Sequence, residues 1–230
     1  MTQVLQIAAA LERVSEVESG QSVSFMHLMK LLYYAQAITL AQTGAPLFDG
    51  AFQAWTHGPV EMSLWKLRAD HKADWLRMLA TQVPQMSDAA WEHLRGVYHV
   101  FGSLNGTALS QATHVERPWV RARKDLRWDQ PSQEPISETA MRDFYAEIID
   151  DGEDALRELG LPLEEGLPAW ALAYRVGVNL KRLVGHPFFD GARSREWRSA
   201  LGLADVPDRW SEDDFRPLER SARDLRGMAS

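Results

Sequence analysis

The sequence predicts a mostly α-helical protein with a small β element and a helical C-terminal extension. Three observations support this fold class. Apolar residues recur at three- and four-residue steps over 24–44, which is the spacing of a helix. That spacing is lost at about 46–55, where an aromatic-containing segment indicates a short β element. Helical spacing of apolar residues returns at 168–185, which predicts a helix in the extension.

The helix predicted over 24–44 has recognisable ends. Ser24 precedes the apolar run and is its predicted N-cap, because a serine side chain can accept a hydrogen bond from a helix N–H group that lacks a partner. Gly44 follows the run and is predicted to end the helix, since glycine readily adopts the left-handed conformation found there.

The β element contains Asp49-Gly50, a dipeptide that favours hairpin turns. Gly58-Pro59 comes next, and proline is common at the first position of a helix. We therefore expect a helix to begin at Pro59. Glu61 would then lie in its first turn, where the helix dipole favours a carboxylate.

Two further helices are predicted at about 87–104 and about 137–149, the second capped by Ser137. A polar, proline-ended stretch at 103–135 predicts only short helices between them. Residues 150–168 are rich in acidic residues, glycine and proline, a composition typical of a linker. We therefore place a boundary there, between a domain at 1–149 and an extension at 150–230.

The composition argues against several classes of protein. The chain has no cysteine, which excludes disulfides, thiolate metal sites and cysteine nucleophiles. Its formal net charge of −7 argues against a protein whose main task is to hold nucleic-acid backbones. Neither a secretion signal nor an apolar run long enough to cross a bilayer is recognisable, and we expect a cytoplasmic protein with no membrane partner.

No motif of the sequence by itself indicates catalysis. The chain lacks the G-x-S-x-G pattern of serine hydrolases and the Gly-Lys ending of a phosphate-binding loop. Its seven histidines are scattered and contain no H-E-x-x-H pair of metal ligands. We therefore expect no catalytic residue, no cofactor and no metal site.

The stretch 53–67 raises one specific question, because His57 stands close to Glu61. One interpretation makes His57 a general base beside this carboxylate. The other makes both residues hydrogen-bonded supports of a tight turn, and we prefer it because neither a nucleophile nor a second acid accompanies them. The neighbouring Trp55 and Trp65 are of the residue type that fills a core or an interface.

A basic segment at 117–128 combines positive charge with tryptophan. It has three interpretations: a nucleic-acid site that uses charge and stacking, a docking surface for an acidic protein, or a solvated basic face. The solvated face is the preferred one. If the segment binds a partner, the contact residues are predicted to be Arg117, Trp119, Arg121, Arg123 and Trp128.

Three motifs, in order along the chain, resemble the Panacea domain of SocA-like antitoxins. The first is K-L-L-Y-Y-A at 30–35, and the second is P-L-F at 46–48 leading to A-W-T-H-G-P-V at 54–60. The third runs from Leu109 through Thr113-His114 to Pro118-Trp119. With a closing helix around 136–145, the resemblance covers about residues 5–149.

The resemblance implies a mostly helical, cytoplasmic antitoxin that binds and neutralises a toxin protein and has no enzymatic activity. SocA-like members also act as adaptors that deliver the toxin to the ClpXP protease. Structural roles are implied for the motif residues Lys30, Tyr33, Tyr34, Trp55, His57, Gly58, Pro59, Thr113, His114, Pro118 and Trp119. The extension at 150–230 is not covered by the motifs, and its role is open.

Two alternatives to an antitoxin remain. One is an enzyme that hydrolyses or transfers a small molecule through His57, Glu61 and His114, and the other is a DNA-binding autoregulator that uses the basic segment. The motifs also predict a local arrangement. Residues 55–59 would form a turn with Pro118-Trp119 packed close to it, so that His57 and His114 lie near each other.

Overall fold

The structure is a computed structural model that describes residues 3–127, 129–159 and 168–183. Within these ranges the chain is mostly α-helical, as predicted. The helices are α1 (Gln3–Ser19), α2 (Phe25–Thr43), α3 (Met62–Asp70), α4 (Trp75–Thr81), α5 (Asp88–Phe101), α6 (Gly106–His114), α7 (Arg117–Arg123), α8 (Glu138–Leu159) and α9 (Ala169–Leu183). The strands are β1 (Phe52–Trp55) and β2 (Gly58–Glu61). No helix in the described part of the chain is long and apolar enough to cross a membrane.

Helix α2 lies at the centre of the molecule and is buried on nearly all sides. It packs against α1, α5, α6, α8 and β2. Both of its predicted ends are confirmed. The Ser24 side chain accepts a hydrogen bond from the His27 N–H at 3.2 Å, and Gly44 ends the helix with a φ of 71°. A helix that is apolar all round is stable only when other elements cover every face, which is the position of α2.

The hairpin lies later in the chain than predicted. β1 and β2 are antiparallel, Trp55 pairs with Gly58, and the turn is formed by Thr56-His57 and not by Asp49-Gly50. Pro59 belongs to β2, so the expected helix start at this residue was wrong. Proline suits this place because β2 is an edge strand, whereas β1 also pairs on its other side through Gln53 and Pro135.

Helix α3 begins at Met62, one residue after Glu61. Glu61 is its N-cap, and its carboxylate accepts hydrogen bonds from the N–H groups of Ser63 at 3.2 Å and Leu64 at 2.7 Å. The carboxylate therefore stabilises the start of the helix, as predicted, but from a position just outside the first turn.

Short helices occupy the polar stretch at 103–135, as predicted, and α5 starts after the N-cap Ser87. Helices α1 and α4 were not predicted from the sequence. Both pack on the core: Leu5 and Leu11 of α1, and Leu79 of α4, are buried.

Helix α8 continues ten residues beyond the predicted end at 149 and passes through Gly152. The reason is the close approach of α9. A Cβ atom at Gly152 would lie 1.8 Å from the Ala173 carbonyl oxygen, and one at Gly177 would lie 1.9 Å from that of Ile148. Gly152 thus permits two helix backbones to touch instead of ending a helix. The predicted helix in the extension corresponds to α9, while the division of the chain at 149 stays a prediction.

Candidate functional site

The hairpin turn is fixed from two sides. The Lys30 Nζ of α2 donates to the Pro59 carbonyl at 2.9 Å, and the Ser110 hydroxyl of α6 donates to the His57 carbonyl at 2.8 Å. Gly58 has a φ of 93°, and a Cβ there would lie 2.7 Å from Thr113 Oγ1. Only glycine combines this backbone conformation with this contact.

The two other motifs meet at the same hairpin. Trp119 Nε1 donates to the Trp55 carbonyl at 3.1 Å, and the Trp119 ring stacks on His114 with centroids 4.2 Å apart. The predicted packing of Pro118-Trp119 against the turn is therefore confirmed. His57 is also close enough to His114 for its charge to lower the pKa of His114.

His114 is buried and held in its neutral form. Burial lowers its pKa well below the ordinary value, and the positive charges of Lys30, His57 and Arg123 lower it further. Neither ring nitrogen meets the geometry of a hydrogen bond, and the backbone of Thr56 offsets the lowering only in part. The imidazole thus acts as an aromatic packing surface for Trp119.

Lys30 places an amine inside the protein. Its side chain is 2 % exposed, and burial lowers its pKa to about 7. Its lysine identity is explained by the Pro59 carbonyl, which would otherwise be a buried acceptor without a donor.

Glu116 lies between the T-H and P-W parts of the third motif and was not predicted as a site residue. It is 1 % exposed and accepts hydrogen bonds from Tyr34 at 3.0 Å and Tyr145 at 2.7 Å. Burial raises its pKa to about 8, although the two hydroxyls act in the opposite direction. The sequence carried one signal for it, because Tyr34 belongs to the first motif and Tyr145 to the closing helix, and a buried tyrosine hydroxyl needs a partner.

The raised pKa of Glu116 makes stability depend on pH. Below the ordinary value of 4.5 the carboxyl is protonated whether folded or unfolded. As the pH rises towards 8, the unfolded chain releases this proton while the folded chain keeps it, so the free energy of unfolding falls. Glu116→Gln cannot ionise, and between pH 5 and 8 it should gain more than about 1 kcal/mol relative to wild type.

Denaturant unfolding of both proteins at several pH values measures this difference. Glu92→Gln, a change at an exposed position of α5, is the matched control. Because the comparison is between variants, the titration of the buried histidines cancels. A wild-type-minus-variant difference that stays flat from pH 5 to 8 would show that Glu116 ionises normally in the folded protein.

Arg123 ties the chain after α7 to the hairpin. Its guanidinium donates to the carbonyls of Ala54 at 3.0 Å, Arg127 at 2.8 Å and Gln130 at 2.6 Å. The group also lies 4.8 Å from the centroid of the Trp119 ring. The planar guanidinium of arginine, with several N–H donors, therefore holds the loop after α7 against the hairpin, and these donors are not directed at another molecule.

Of the five residues predicted to contact a partner, the four that the structure describes do not form one surface. Trp119 and Arg123 are interior residues, and Arg117 is half-buried, paired with Glu147 and placed 5.1 Å from the Phe144 ring centroid. Arg121 is exposed. Trp128 lies outside the described residues. The prediction is corrected for Trp119 and Arg123, since a side chain covered by the hairpin cannot also face a partner.

Two of the three residues of the enzyme alternative, Glu61 and His114, have structural roles, and the third, His57, is in the hairpin turn. Glu61 caps α3 with both oxygens, and His114 is buried beneath Trp119. In the described ranges, no group of three or more histidines and carboxylates is arranged to hold a metal ion. The geometry of this region is that of a support for the hairpin.

Beside the hairpin lies a pocket that is partly open to solvent. The pocket is formed by three segments: the N-terminal part of α2, the hairpin, and the C-terminal part of α3. Its lining residues are Phe25, Met26, Met29, Lys30, Trp55, His57, Val60, Trp65, Arg68 and Ala69. Sequence reasoning did not predict a pocket here, because its walls come from three separate segments.

Comparison with known proteins identifies the central part of the chain. Residues 28–120 match the family model described as "Antitoxin SocA-like, Panacea domain". The match begins in α2 and ends in α7, so it contains all three motifs and the residues that hold the hairpin. No curated protein and no solved structure gives a significant match. The resemblance predicted from the motifs is confirmed over this range.

Proposed function

We propose that this chain, which carries a SocA-like Panacea domain over residues 28–120, is an antitoxin that binds and neutralises a cognate toxin protein in the cytoplasm. The family match carries the proposal. The geometry agrees with a binding role, because the polar residues of the motifs are engaged in folding: Lys30 with Pro59, and Glu116 with two tyrosines.

A further part of the proposal concerns the fate of the toxin. Neutralisation by binding alone keeps the toxin in the cell as a complex, whereas an adaptor delivers it to the ClpXP protease. We include the adaptor role because SocA-like members act in this way. The two modes differ in one measurable quantity, the amount of toxin that accumulates when the protease is absent.

The decisive experiment expresses the chain with the protein encoded beside its gene. Neutralisation should restore growth to cells that the neighbouring protein alone arrests, and a tagged chain should recover it in near-equal amount. More recovered toxin in cells without ClpXP than in normal cells would support delivery. Equal recovery would favour binding alone. Growth arrest that persists, with no partner recovered, would refute the antitoxin function.

The exposed flank of α7 is the proposed place of contact. Arg121 and Lys124 are exposed there, while Arg123 beside them is buried. We expect Arg121→Glu combined with Lys124→Glu to weaken the toxin complex by about tenfold or more. The two new glutamates would face the acidic surface of the toxin that a basic segment is expected to bind, and like charges brought together at an interface lower the affinity. Titration calorimetry with the purified partner measures this effect. Arg77→Glu combined with Arg157→Glu makes the same change of charge at exposed positions of α4 and α8 and serves as the control. Equal affinities of the two double variants would move the interface away from α7.

A further inference from the structure

The pocket beside the hairpin is apolar over most of its wall. Trp55 and Trp65 are among its lining residues, with ring centroids 5.3 Å apart at 52°, and Met26 and Met29 line it from α2. Aromatic and methionine side chains together accept flat or bulky apolar groups, since the rings give contact area and methionine adapts its shape. The folding roles found for the motif residues do not require an open space here.

The charged groups that line the pocket are all of one sign. Lys30, Arg68 and His57 are among its lining residues, and no acidic residue among those the structure describes lines the space. The carboxylate of Glu61, the residue after Val60, is directed to the N–H groups of α3. The Lys30 amine uses one N–H for the Pro59 carbonyl, and an ammonium has three.

We propose that this pocket binds a carboxylate carried on an aromatic or bulky apolar body, with the body against Trp55 and Trp65 and the carboxylate directed to Lys30 and Arg68. An anion is favoured because the lining offers positive charge in a partly desolvated space. A strongly hydrated anion such as phosphate is disfavoured by the apolar walls. The same chemistry can be presented by a free small acid or by a partner protein that exposes a large apolar side chain beside an acidic one.

Binding of such an acid should also change the protonation of Lys30, which gives a second measurement of the same event. Burial lowers the pKa of its amine to about 7. A carboxylate nearby favours the charged amine, so binding above pH 7 should be accompanied by proton uptake. The other charged or titratable residues that line the pocket are His57 in the hairpin and Arg68 in α3, and the charge of the amine also acts on His114 in α6.

The test uses the full chain and indole-3-acetate as the probe. Titration calorimetry gives the affinity, and the indole N–H signals of Trp55 and Trp65 in a ¹⁵N NMR spectrum locate the site. Indole-3-acetamide has the same shape without the charge, and it should bind at least about tenfold more weakly. At pH 8 the heat of binding should vary with the buffer, as proton uptake requires.

Two variants test the assignment. Lys30→Met should reduce the affinity for indole-3-acetate at least about tenfold and leave that for indole-3-acetamide nearly unchanged. Ala69→Phe, at an exposed position on the pocket mouth, should block both probes without removing a polar group, and it serves if the Lys30 variant does not fold. Arg77→Met, on the exposed face of α4, is the control and should bind like wild type.

The proposal is overturned if indole-3-acetate gives no saturable binding up to about 10 mM, if the acid and the amide bind equally, or if Ala69→Phe binds both like wild type. A further arm adds the probe to the captured toxin complex. Displacement of the toxin would assign the carboxylate to the partner protein, and binding without displacement would assign it to a free acid. Since the probe titration needs no toxin, its outcome is independent of the antitoxin function.

Discussion

Replacement of Arg123 by alanine is expected to lower the free energy of unfolding by about 3 kcal/mol, whereas the same change at Arg121 should alter it by less than about 0.5 kcal/mol. The two residues lie two positions apart on α7, yet one is 2 % exposed and the other lies open to solvent. They form a matched pair in which chain position and chemistry are nearly the same and only burial differs.

The size of the effect follows from the carbonyl groups that Arg123 satisfies. Removing the guanidinium leaves the buried Ala54 carbonyl without this donor, and a buried acceptor left unpaired costs about 1–3 kcal/mol. It also removes the contact with the Trp119 ring and one of the two donors to each of the Arg127 and Gln130 carbonyls. Lysine should restore less than half of the loss, because a single ammonium cannot reproduce the planar fork.

Denaturant unfolding followed by circular dichroism measures both variants. Toxin binding should also differ between the two variants. Arg123→Ala affects binding only by destabilising the fold, whereas Arg121→Ala removes a proposed contact with the toxin from a stable protein. Similar small losses of stability for Arg121→Ala and Arg123→Ala would mean that water replaces the guanidinium at little cost and that the loop after α7 does not depend on it.

Gly152→Ala is expected to lower the free energy of unfolding by about 2–3 kcal/mol and to loosen α9 from α8. The sign is informative because alanine in an ordinary helix interior is about 1 kcal/mol more favourable than glycine. A new Cβ would lie 1.8 Å from the Ala173 carbonyl oxygen, a backbone atom that cannot rotate away. The helices would have to separate, which would expose Tyr174 and Trp170.

Hydrogen exchange locates the change, since amides of α9 should lose protection before those of α2. Glu153→Ala is the control, because this neighbour on α8 is exposed. If Gly152→Ala proved more stable than wild type, helix propensity would dominate and the close contact between α8 and α9 would not exist in solution.

Much of the helical framework was predictable because its signals are local. Ser24 and Gly44 delimit α2 through hydrogen bonds that span three or four residues, and Ser87 does the same for α5. The motif residues predicted the family for the same reason, since they stand at fixed spacing within short segments. Their mutual packing around the hairpin followed once the family was recognised.

The hairpin shows how a distant contact overrides a local one. Asp49-Gly50 has the stronger turn propensity, but the observed turn is Thr56-His57. Hydrogen bonds from Lys30 and Ser110 hold the carbonyls on both sides of Gly58, and residues 134–136 pair with the other edge of β1. These partners are 29 or more residues away in the chain, so no local pattern could have revealed the register.

The sequence by itself determined the mostly α-helical class, the ends of the central helix and the resemblance of residues 28–120 to the SocA-like Panacea domain. Tertiary structure alone decided which charged residues are interior. Lys30, Glu116 and Arg123 resemble surface residues in the sequence, yet each is covered by segments remote in the chain. The physical reason is that helix caps and periodicity depend on neighbours a few positions away, whereas burial and the pKa values that follow from it depend on what packs above a side chain.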